Sequence, residues 1–391
     1  MTTNFEPPHR LLLGPGPSDA HPRVLRALSQ PLIGHLDPAF LALMDEVKRL
    51  LRHVFQTENE LTFAVSGTGS AGMETCLVNL LEEGDEAVVM VNGEFGRRMT
   101  DIVERCRARA VPFEIPWGRA VEPEDVEKAL AQAGRPKLVA MVHAETSTGA
   151  WSPVEEIAPI VGRSGALFVV DTVTSLGGCP VEVDRWKIDA CYSGTQKCLS
   201  CPPGLAPVTF GPRALEALRR RRSKVQSWYL DLTMIEKYWG AERAYHHTAP
   251  ISMNYALAEA LRLVVEEGLE ARFERHRRNH LALAAGFEAL GFRFVVEPPR
   301  RLWMLNSVFL PPLGAGQDEA RLRRRLLDEF SIEVGGGLGA FKGKIWRIGL
   351  MGESSRREKV LRLFSALEQI LPGAGVPVRA GAAAAAAEAC F

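Results

Sequence analysis

Short apolar runs alternate with helix-period segments between residues 61 and 210. The apolar runs are LTFAV, EAVVMV, LVAMVHAE, ALFVVD, DACYSG and LAPVTF, and segments such as AGMETCLVNLL and RRMTDIVERCR lie between them. This alternation is typical of an α/β domain in which helices cover both faces of a mostly parallel sheet. Such domains bind ligands at the carboxyl ends of their strands, so polar residues that directly follow an apolar run are the candidates for function.

Beyond about residue 252 the pattern changes to a long helical stretch followed by shorter runs. FRFVV, NSVFL, IEV and WRIGL predict strands, and helices are predicted near 318–330 and over RREKVLRLFSALEQIL. We therefore expect a second, smaller α+β domain. The predicted division is an N-terminal arm (1–20), a large domain (21–268), a small C-terminal domain (269–375) and a low-complexity, Ala-rich tail (376–391) that we expect to be frayed.

Composition and charge indicate a protein that acts on small molecules. The chain has 391 residues, and its 47 Lys and Arg residues balance its 47 Asp and Glu residues. This balance gives no reason to expect a nucleic acid or an anionic membrane as partner. The 7 cysteines are scattered, and Cys198 and Cys201 form a single C-x-x-C, so we expect free thiols in a reducing compartment and no metal site. Because no run resembles a signal peptide or a membrane span, the predicted location is cytoplasmic.

The segment GTGSAG (67–72) matches the G-x-G-x-x-G pattern of dinucleotide-binding loops. It follows the predicted strand LTFAV and begins a predicted helix, an arrangement that directs free backbone N–H groups at an anion. Glu94 lies at the end of the next predicted strand, where a dinucleotide fold needs an acid for the ribose. The motif, however, lies well inside the chain, and Thr68 and Ser70 offer hydroxyls that a pyrophosphate loop does not need. Taken alone, it fits a dinucleotide and a single phosphate equally well.

Asp171 and Lys197 each follow an apolar run, in ALFVVDTVTSLGG and DACYSGTQKCLSCPPG. Each residue by itself would be interpreted as a helix cap or a solvated loop charge. Together with a phosphate-binding loop they fit pyridoxal phosphate. That cofactor needs a lysine for a Schiff base, a carboxylate at its pyridine nitrogen and a helix N-terminus for its phosphate. The two residues therefore favour a single phosphate over a dinucleotide.

The sequence resembles the class V aminotransferases, which are fold-type I pyridoxal phosphate enzymes, and within them the alanine–glyoxylate and serine–pyruvate group. The motifs that carry the resemblance are LLLGPGPS (11–18), VFQT (54–57), SGTGSAGMETCLVNLLEEGD (66–85), HAETSTG (143–149), VVDTVTSLGG (169–178), YSGTQKCLSCPPG (192–204), SWYLDL (227–232), YHHTAP (245–250), GGGLG (335–339) and WRIGLMG (346–352). The resemblance implies a large domain with a sheet of the seven-stranded type. It also implies ping-pong transfer of an amino group from a small L-amino acid, alanine or serine, to glyoxylate or pyruvate.

The resemblance further implies roles for single residues. Lys197 would carry the cofactor and shuttle the proton at the substrate Cα, Asp171 would bind the pyridine nitrogen, and Arg347 would clamp the substrate carboxylate. The other implied contacts are Thr68, Gly69, Ser70 and Gln196 at the phosphate, Thr146 at the phenolic oxygen, Phe95 and Val173 on the two ring faces, and Gly16 and His35 in the substrate pocket. Tyr245 and Thr248 would reach the cofactor phosphate of the neighbouring subunit, so a homodimer would share its active sites. Two positions depart from the pattern, because Phe95 stands where Trp is frequent and His35 lies in a segment that varies with substrate.

Several alternatives stay open on the sequence alone. Ureidoglycine–glyoxylate, aminoethylphosphonate and pyridoxamine–pyruvate aminotransferases would use the same cofactor, although the hydroxyls of Thr68 and Ser70 argue against the last. A cysteine desulfurase is disfavoured because no cysteine lies between Cys201 and Cys390. An oxidoreductase that bound NAD at GTGSAG would leave Asp171, Lys197 and Arg347 without a role, and a catalytically dead binding protein would not need all of these residues. The sequence ranks neither alanine against serine nor glyoxylate against pyruvate.

Overall fold

A computed structural model describes residues 6–391. Its strands are β1 (Leu11–Leu12), β2 (Leu61–Ser66), β3 (Glu86–Val91), β4 (Arg109–Glu114), β5 (Leu138–Val142), β6 (Ala144–Glu145), β7 (Ala150–Trp151), β8 (Leu167–Asp171), β9 (Ala190–Tyr192), β10 (Leu205–Phe210), β11 (Arg293–Phe294), β12 (Leu305–Phe309), β13 (Ile332–Glu333), β14 (Gly335–Gly336) and β15 (Ile345–Gly349).

The α-helices alternate with these strands in the first part of the chain and dominate the second. They are α1 (Pro22–Leu28), α2 (Pro38–Phe55), α3 (Gly69–Leu80), α4 (Glu94–Arg105), α5 (Pro123–Gln132), α6 (Val154–Ser164), α7 (Pro212–Arg219), α8 (Leu232–Trp239), α9 (Ile251–Glu267), α10 (Leu269–Ala289), α11 (Glu319–Phe330), α12 (Arg357–Ile370) and α13 (Ala382–Glu388). Within residues 6–391, no helix combines the length and the apolar character that crossing a bilayer requires.

A seven-stranded sheet forms the centre of the molecule, in the order β2-β10-β9-β8-β5-β3-β4. All of its strands point the same way except β10, which is antiparallel to both β2 and β9. Strands β5 and β8 are buried along their whole length, which explains why their sequences are apolar without alternation. The predicted mostly parallel α/β sheet is therefore confirmed.

Strand β4 is the one strand of this sheet that the apolar pattern did not indicate. It lies at the sheet edge, its residues are exposed or half-buried, and it contains Pro112. Proline cannot donate a backbone hydrogen bond and is tolerated mainly on edge strands. The weak pattern of β4 is thus a consequence of its position.

The strand order explains why GTGSAG is not a dinucleotide fingerprint. In a dinucleotide-binding unit, the strand after the glycine-rich loop and its helix lies next to the first strand. Here β2 leads into the loop and α3, but the following strand, β3, is separated from β2 by β10, β9, β8 and β5. The loop therefore has the sequence of the fingerprint without its sheet topology.

A second, antiparallel sheet of order β11-β12-β15-β14 lies in the C-terminal part of the chain. It has its own hydrophobic core, formed by residues such as Phe287, Trp346 and Phe364. Leu11 and Leu13 join this core, because β1 pairs in parallel with β13. The long helical stretch of the sequence is divided at Gly268, whose φ of 80° separates α9 from α10. We keep the division of the chain at this glycine as a prediction.

The Ala-rich C-terminal segment forms a helix, so the expectation of a frayed tail was wrong. Helix α13 buries Ala383 and Ala387 in the second core. Its start is capped by Glu368 of α12, which accepts the N–H groups of Gly381 at 2.8 Å and of Ala383 at 2.9 Å. Alanine is the strongest helix former, and a low-complexity run of it folds once one face has a partner.

Candidate active site

Lys197 lies in the loop after β9 and is buried, with 8% of its surface exposed. The N-terminal arm lies directly on it: Lys197 Nζ donates to the carbonyl of Pro15, and Ser18 Oγ donates to the carbonyl of Lys197 at 2.7 Å. A Cβ atom at Gly16, whose φ is +109°, would lie only 2.6 Å from Nζ. The arm therefore needs glycine at this position, and the structure brings Gly16 and Lys197 together.

Asp171 ends β8, and the register of the sheet places Tyr192 of β9 directly beside it. Its Oδ1 accepts the N–H of Val173 at 2.7 Å, and its Oδ2 accepts the hydroxyl of Tyr192 at 2.8 Å. Burial raises the pKa of Asp171 to about 7, although both hydrogen bonds oppose that shift. The carboxylate is held rigidly and is poised to ionise beside a positive charge.

The glycine-rich loop forms an anion-binding helix start. Thr68 is the N-cap residue of α3, yet its hydroxyl makes no capping bond, and within the described residues the N–H groups of Gly69 and Ser70 have no acceptor. The side chain of Val173 packs against this loop, 3.2 Å from where a Cβ of Gly69 would lie. Because free N–H groups and the helix dipole attract anions, these residues suit a phosphate group.

Gln196 lies next to Lys197, and its Oε1 is buried without a hydrogen-bond partner among the described residues. An unsatisfied buried amide is costly, and the oxygen and nitrogen of a glutamine amide exchange places by a simple rotation. After that rotation the amide would donate to a bound oxygen anion. This unpaired group, together with Asp171 and the start of α3, fits the donor and acceptor set that pyridoxal phosphate requires.

Arg347 lies on β15 of the second sheet and is buried, with 7% of its surface exposed. Its Nε donates to the carbonyl of Gly336 at 2.7 Å, and its Nη1 donates to the carbonyl of Thr146 at 3.1 Å. Burial lowers the pKa of Arg347 to about 10, so the guanidinium stays charged near neutral pH. The Thr146 hydroxyl makes no hydrogen bond within the described residues and is available to a ligand.

Neighbouring charges affect the pKa of Lys197. Burial, and then the nearby Arg347 cation, lower the pKa of Lys197 to about 8, while the charges of Asp171 and Glu145 oppose the shift. Lys197 is therefore close enough to Asp171 and to Arg347 for their charges to affect its pKa, although the three residues are far apart in the sequence. A partly neutral amine near pH 8 can accept a proton as well as donate one.

Phe95 is the second residue of α4 and is half-buried. The guanidinium of Arg98 lies over its ring, 4.9 Å from the centroid, and the same arginine approaches Ser70 Oγ at 3.5 Å. The N–H of Phe95 donates to Glu145, a carboxylate with no exposed surface. The aromatic ring thus lies between the phosphate-binding loop and a buried acid.

His35, Tyr245 and Thr248 form a separate group. The rings of His35 and Tyr245 are 5.1 Å apart, and Tyr245 and Thr248 are exposed on this subunit. Within the described residues, no hydrogen bond connects any of the three to Lys197, Asp171 or Arg347. Their predicted roles in cofactor and substrate binding stay predictions.

The sequence analysis missed three residues that the structure places in the site: Tyr192, Glu145 and Arg98. Tyr192 precedes the Lys197 loop in DACYSG, and Glu145 precedes Thr146 in HAETSTG. Both belonged to quoted motifs, but their importance depends on burial and on strand register, which the motifs do not state. Arg98 belongs to the predicted helical segment RRMTDIVERCR, but its contacts with Phe95 and Ser70 depend on how α4 packs beside the glycine-rich loop.

These residues can perform amino-group transfer. When bound, pyridoxal phosphate supplies a carbonyl that takes up amino groups and a ring that withdraws electrons from the attached carbon. Asp171 would hold the positive charge at the ring nitrogen, and Lys197 Nζ would move the proton at the substrate Cα. Arg347 would orient a substrate carboxylate through parallel hydrogen bonds. The arm at Pro15 and Gly16 covers Lys197 and limits the access of water.

Comparison with known proteins agrees with this chemistry. The family model described as aminotransferase class-V matches residues 12–337. The chain is 40% identical over 368 residues to alanine–glyoxylate aminotransferase of Oryctolagus cuniculus, and this alignment covers 93% of each protein. Two crystal structures share its fold. That of alanine–glyoxylate aminotransferase from Nostoc sp. has 51% identity and a TM-score of 0.91, and the match covers 95% of this chain and 97% of that one. That of ureidoglycine–glyoxylate aminotransferase from Bacillus subtilis has 42% identity and a TM-score of 0.96, and the match covers 99% of each chain. The chain therefore belongs to the class V aminotransferases, which are pyridoxal-phosphate-dependent transaminases.

Proposed function

We propose that this enzyme transfers the amino group of a small L-amino acid, alanine or serine, to glyoxylate or pyruvate by a ping-pong mechanism. The observation that carries the proposal is Arg347, a buried cation from the second sheet whose Nη1 donates to the carbonyl of Thr146 at 3.1 Å. Every amino acid and keto acid of this reaction has a carboxylate for that guanidinium. The names of the relatives support glyoxylate as the acceptor, because those of Nostoc sp. and B. subtilis both contain it.

Lys197 and Asp171 are the proposed catalytic residues. Lys197 would bind the cofactor covalently and would handle the proton at the substrate Cα, and Asp171 would pair with the ring nitrogen. The other proposed cofactor contacts are Thr68, Gly69, Ser70, Phe95, Thr146, Val173 and Gln196. The support for this assignment is the unpaired N–H groups at the start of α3 and the unpaired buried amide of Gln196.

In addition to Arg347, Gly16 and His35 are proposed to contribute to the substrate pocket. The arm approaches Lys197 so closely at Gly16 that little space remains above the amine. A restricted space of this kind favours alanine, serine and glycine over amino acids with long side chains. His35 is half-buried and lies against Tyr245, so its contribution would depend on how subunits associate.

The proposed assembly is a homodimer with shared active sites. Tyr245 is 62% exposed, and Thr248 is exposed beside it, so both are free to contact another subunit. His247 of the same segment bonds Ser66, just before the glycine-rich loop, at 2.7 Å. The exposure of Tyr245 and Thr248 is the support for a phosphate site that the neighbouring chain completes. The cytoplasmic location also stays a prediction from the sequence, and the free cysteines are consistent with it.

A half-reaction panel tests the proposed substrates. The purified enzyme with bound pyridoxal phosphate is mixed with single amino acids, and the absorbance of the cofactor reports conversion to the amine form. We expect L-alanine or L-serine to convert the cofactor rapidly, and glyoxylate or pyruvate to reverse the change. If neither amino acid converted the cofactor while another donor did, the proposed donor class would be wrong.

(S)-Ureidoglycine is the second candidate donor. The observation in its favour is the B. subtilis structure, whose TM-score of 0.96 over 99% of each chain accompanies 42% identity. This compound, aminoethylphosphonate and pyridoxamine therefore belong in the same panel. Fast conversion by (S)-ureidoglycine and slow conversion by alanine and serine would favour this candidate over the first.

A further inference from the structure

Helix α4 carries Phe95 in its first turn but follows a residue that has no side chain to cap it. The N-cap residue is Gly93, and the first N–H groups of any helix lack partners within that helix. Here the N–H of Glu94 donates to Ser147 Oγ at 3.0 Å, and the N–H of Phe95 donates to Glu145 Oε2 at 3.3 Å. Side chains from a different loop therefore cap this helix.

Glu145 is arranged to act only as an acceptor. Its Oε1 accepts both the N–H of Ser147 at 2.9 Å and the hydroxyl of Ser147 at 2.7 Å, and no part of Glu145 is exposed. A Cβ atom at Gly93 would lie 2.4 Å from the Glu145 carboxyl carbon, so the start of α4 packs directly on this carboxylate. Burial raises the pKa of Glu145, whereas the hydrogen bonds from Ser147 and Phe95 lower it, and the dipole of α4 favours the negative charge.

The segment that contains Glu145 also contacts other proposed cofactor and substrate groups. Thr146 follows Glu145 directly, and the carbonyl of Thr146 accepts Arg347 Nη1 at 3.1 Å. Glu145 and Ser147 thus connect the helix that carries the aromatic ring to the loop that carries the Thr146 hydroxyl. A small shift of this connection would move the ring relative to the hydroxyl.

From these contacts we infer that Glu145 is a positioning residue, which fixes the ring of Phe95 against the cofactor by accepting the N–H groups at the start of α4 together with Ser147. The inference rests on the proposed placement of Phe95 on the cofactor ring. It assigns Glu145 no contact with substrate and no proton transfer. Its consequence is that Glu145 affects cofactor binding through Phe95.

A double-mutant cycle on cofactor binding tests this inference. Glu145→Gln, Phe95→Ala and the double variant are prepared without cofactor, and their affinity for pyridoxal phosphate is measured by absorbance titration. The visible circular dichroism of the bound cofactor reports the orientation of its ring. Glu145→Gln places an amide NH₂ group opposite donors, and we expect it to weaken binding by on the order of tenfold and to reduce the dichroism. Once Phe95 is alanine, the same change should cost little more, because the ring it positions is absent.

Glu368→Gln is the matched control. Glu368 caps α13 from a neighbouring helix in the same manner, through the N–H groups of Gly381 and Ala383, and within residues 6–391 it makes no hydrogen bond to the proposed cofactor residues. This variant should lower the melting temperature without any change in affinity or dichroism. If Glu145→Gln behaved like this control, or if its effect added fully to that of Phe95→Ala, Glu145 would be a purely structural cap.

Ser147→Ala keeps the test decisive if Glu145→Gln does not fold. It removes the acceptor of the Glu94 N–H but leaves the Glu145 carboxylate in place. We expect the same loss of dichroism, smaller in size and again absent when Phe95 is alanine. Unchanged dichroism in Ser147→Ala would contradict the inference. Wild-type protein that bound no pyridoxal phosphate would instead contradict the proposed function itself.

Discussion

Lys197 and Asp171 are buried ionisable residues whose pKa values move toward each other. Burial lowers the pKa of Lys197 from 10.5 to about 8 and raises that of Asp171 from 3.8 to about 7. The shift at Lys197 makes its neutral amine accessible near neutral pH, which proton transfer at a carbon atom requires, whereas a positive charge at the cofactor ring nitrogen would keep Asp171 ionised. Burial therefore brings the pKa values of an amine and of a carboxyl close to neutral pH.

The pH dependence of cofactor uptake tests the shifted pKa of Lys197. Only the neutral amine attacks a carbonyl, so the uptake rate of the cofactor-free enzyme should fall about tenfold for each pH unit below 8 and level off above it. Stopped-flow absorbance between pH 6 and 10.5 would measure how the uptake rate depends on pH. A rate that continued to rise beyond pH 10 would indicate an amine with the pKa of an exposed lysine.

Substitution of Arg347 tests its proposed role in substrate binding. Arg347→Ala removes charged hydrogen bonds to the substrate carboxylate, which should raise KM for the amino acid by about 10- to 100-fold. Arg347→Lys keeps the charge but loses the two-pronged geometry, so it should recover only part of this loss. Steady-state kinetics would show both effects. Arg325→Ala, at a surface ion pair with Glu329, is the control and should leave KM unchanged. A normal KM in the Arg347→Ala enzyme would contradict the proposal that Arg347 binds the substrate carboxylate.

The positions of the proposed catalytic residues could be predicted from the sequence because polar residues after buried strands lie at one edge of a parallel sheet. The contributions of Tyr192 and Glu145 could not. Tyr192 contacts Asp171 because β8 and β9 pair in one particular register, and Glu145 meets α4 because loops from different strands converge. Register and convergence are properties of the folded chain rather than of local pattern.

At the scale of elements, the order of the strands decides how a local motif is interpreted. GTGSAG has the spacing of a dinucleotide loop, and the separation of β2 from β3 in the sheet distinguishes it from the dinucleotide fold. The edge strand β4 and the helix α13 were not predicted from the sequence, because the local pattern of each is weak. The first is too exposed to show an apolar run, and the second is too uniform to show a period.

Removal of residues 381–391 tests the contribution of α13. The deletion would expose the surface that Ala383 and Ala387 cover, and we expect it to destabilise the protein by about 1–3 kcal/mol. The ion pair between Arg357 and Glu388 is solvent-exposed and should contribute little to this value. Chemical unfolding of the full-length and shortened enzymes would measure the difference. Equal stability would mean that the segment is the frayed tail expected from its composition.

At the scale of the whole molecule, the site is assembled from distant parts of the chain. The N-terminal arm supplies Gly16, the central sheet supplies Asp171 and Lys197, and the second sheet supplies Arg347. A surface groove of about 1040 Å³ at the amino ends of the parallel strands contains none of these residues. The chemistry of the side chains, and not the size of a cavity, is therefore the basis of the proposed active site.

Mixing of inactive subunits tests the proposed shared sites. A Lys197→Ala subunit lacks the amine, and a subunit with Tyr245→Phe and Thr248→Ala lacks the groups proposed to reach the neighbouring phosphate. A mixed dimer would contain one site in which every proposed residue is intact. Activity at low cofactor concentration, measured after subunit exchange, should therefore exceed the sum of the two separate preparations. Activity equal to that sum would favour sites built within single chains.

The central claim is that Lys197 holds pyridoxal phosphate covalently, and borohydride reduction tests it most directly. Reduction of the cofactor-bound enzyme should fix the phosphopyridoxyl group on one peptide, and mass spectrometry of the digest should place it on Lys197. The Lys197→Ala variant should take up no label. A label on another lysine, or none on the wild-type enzyme, would contradict the account.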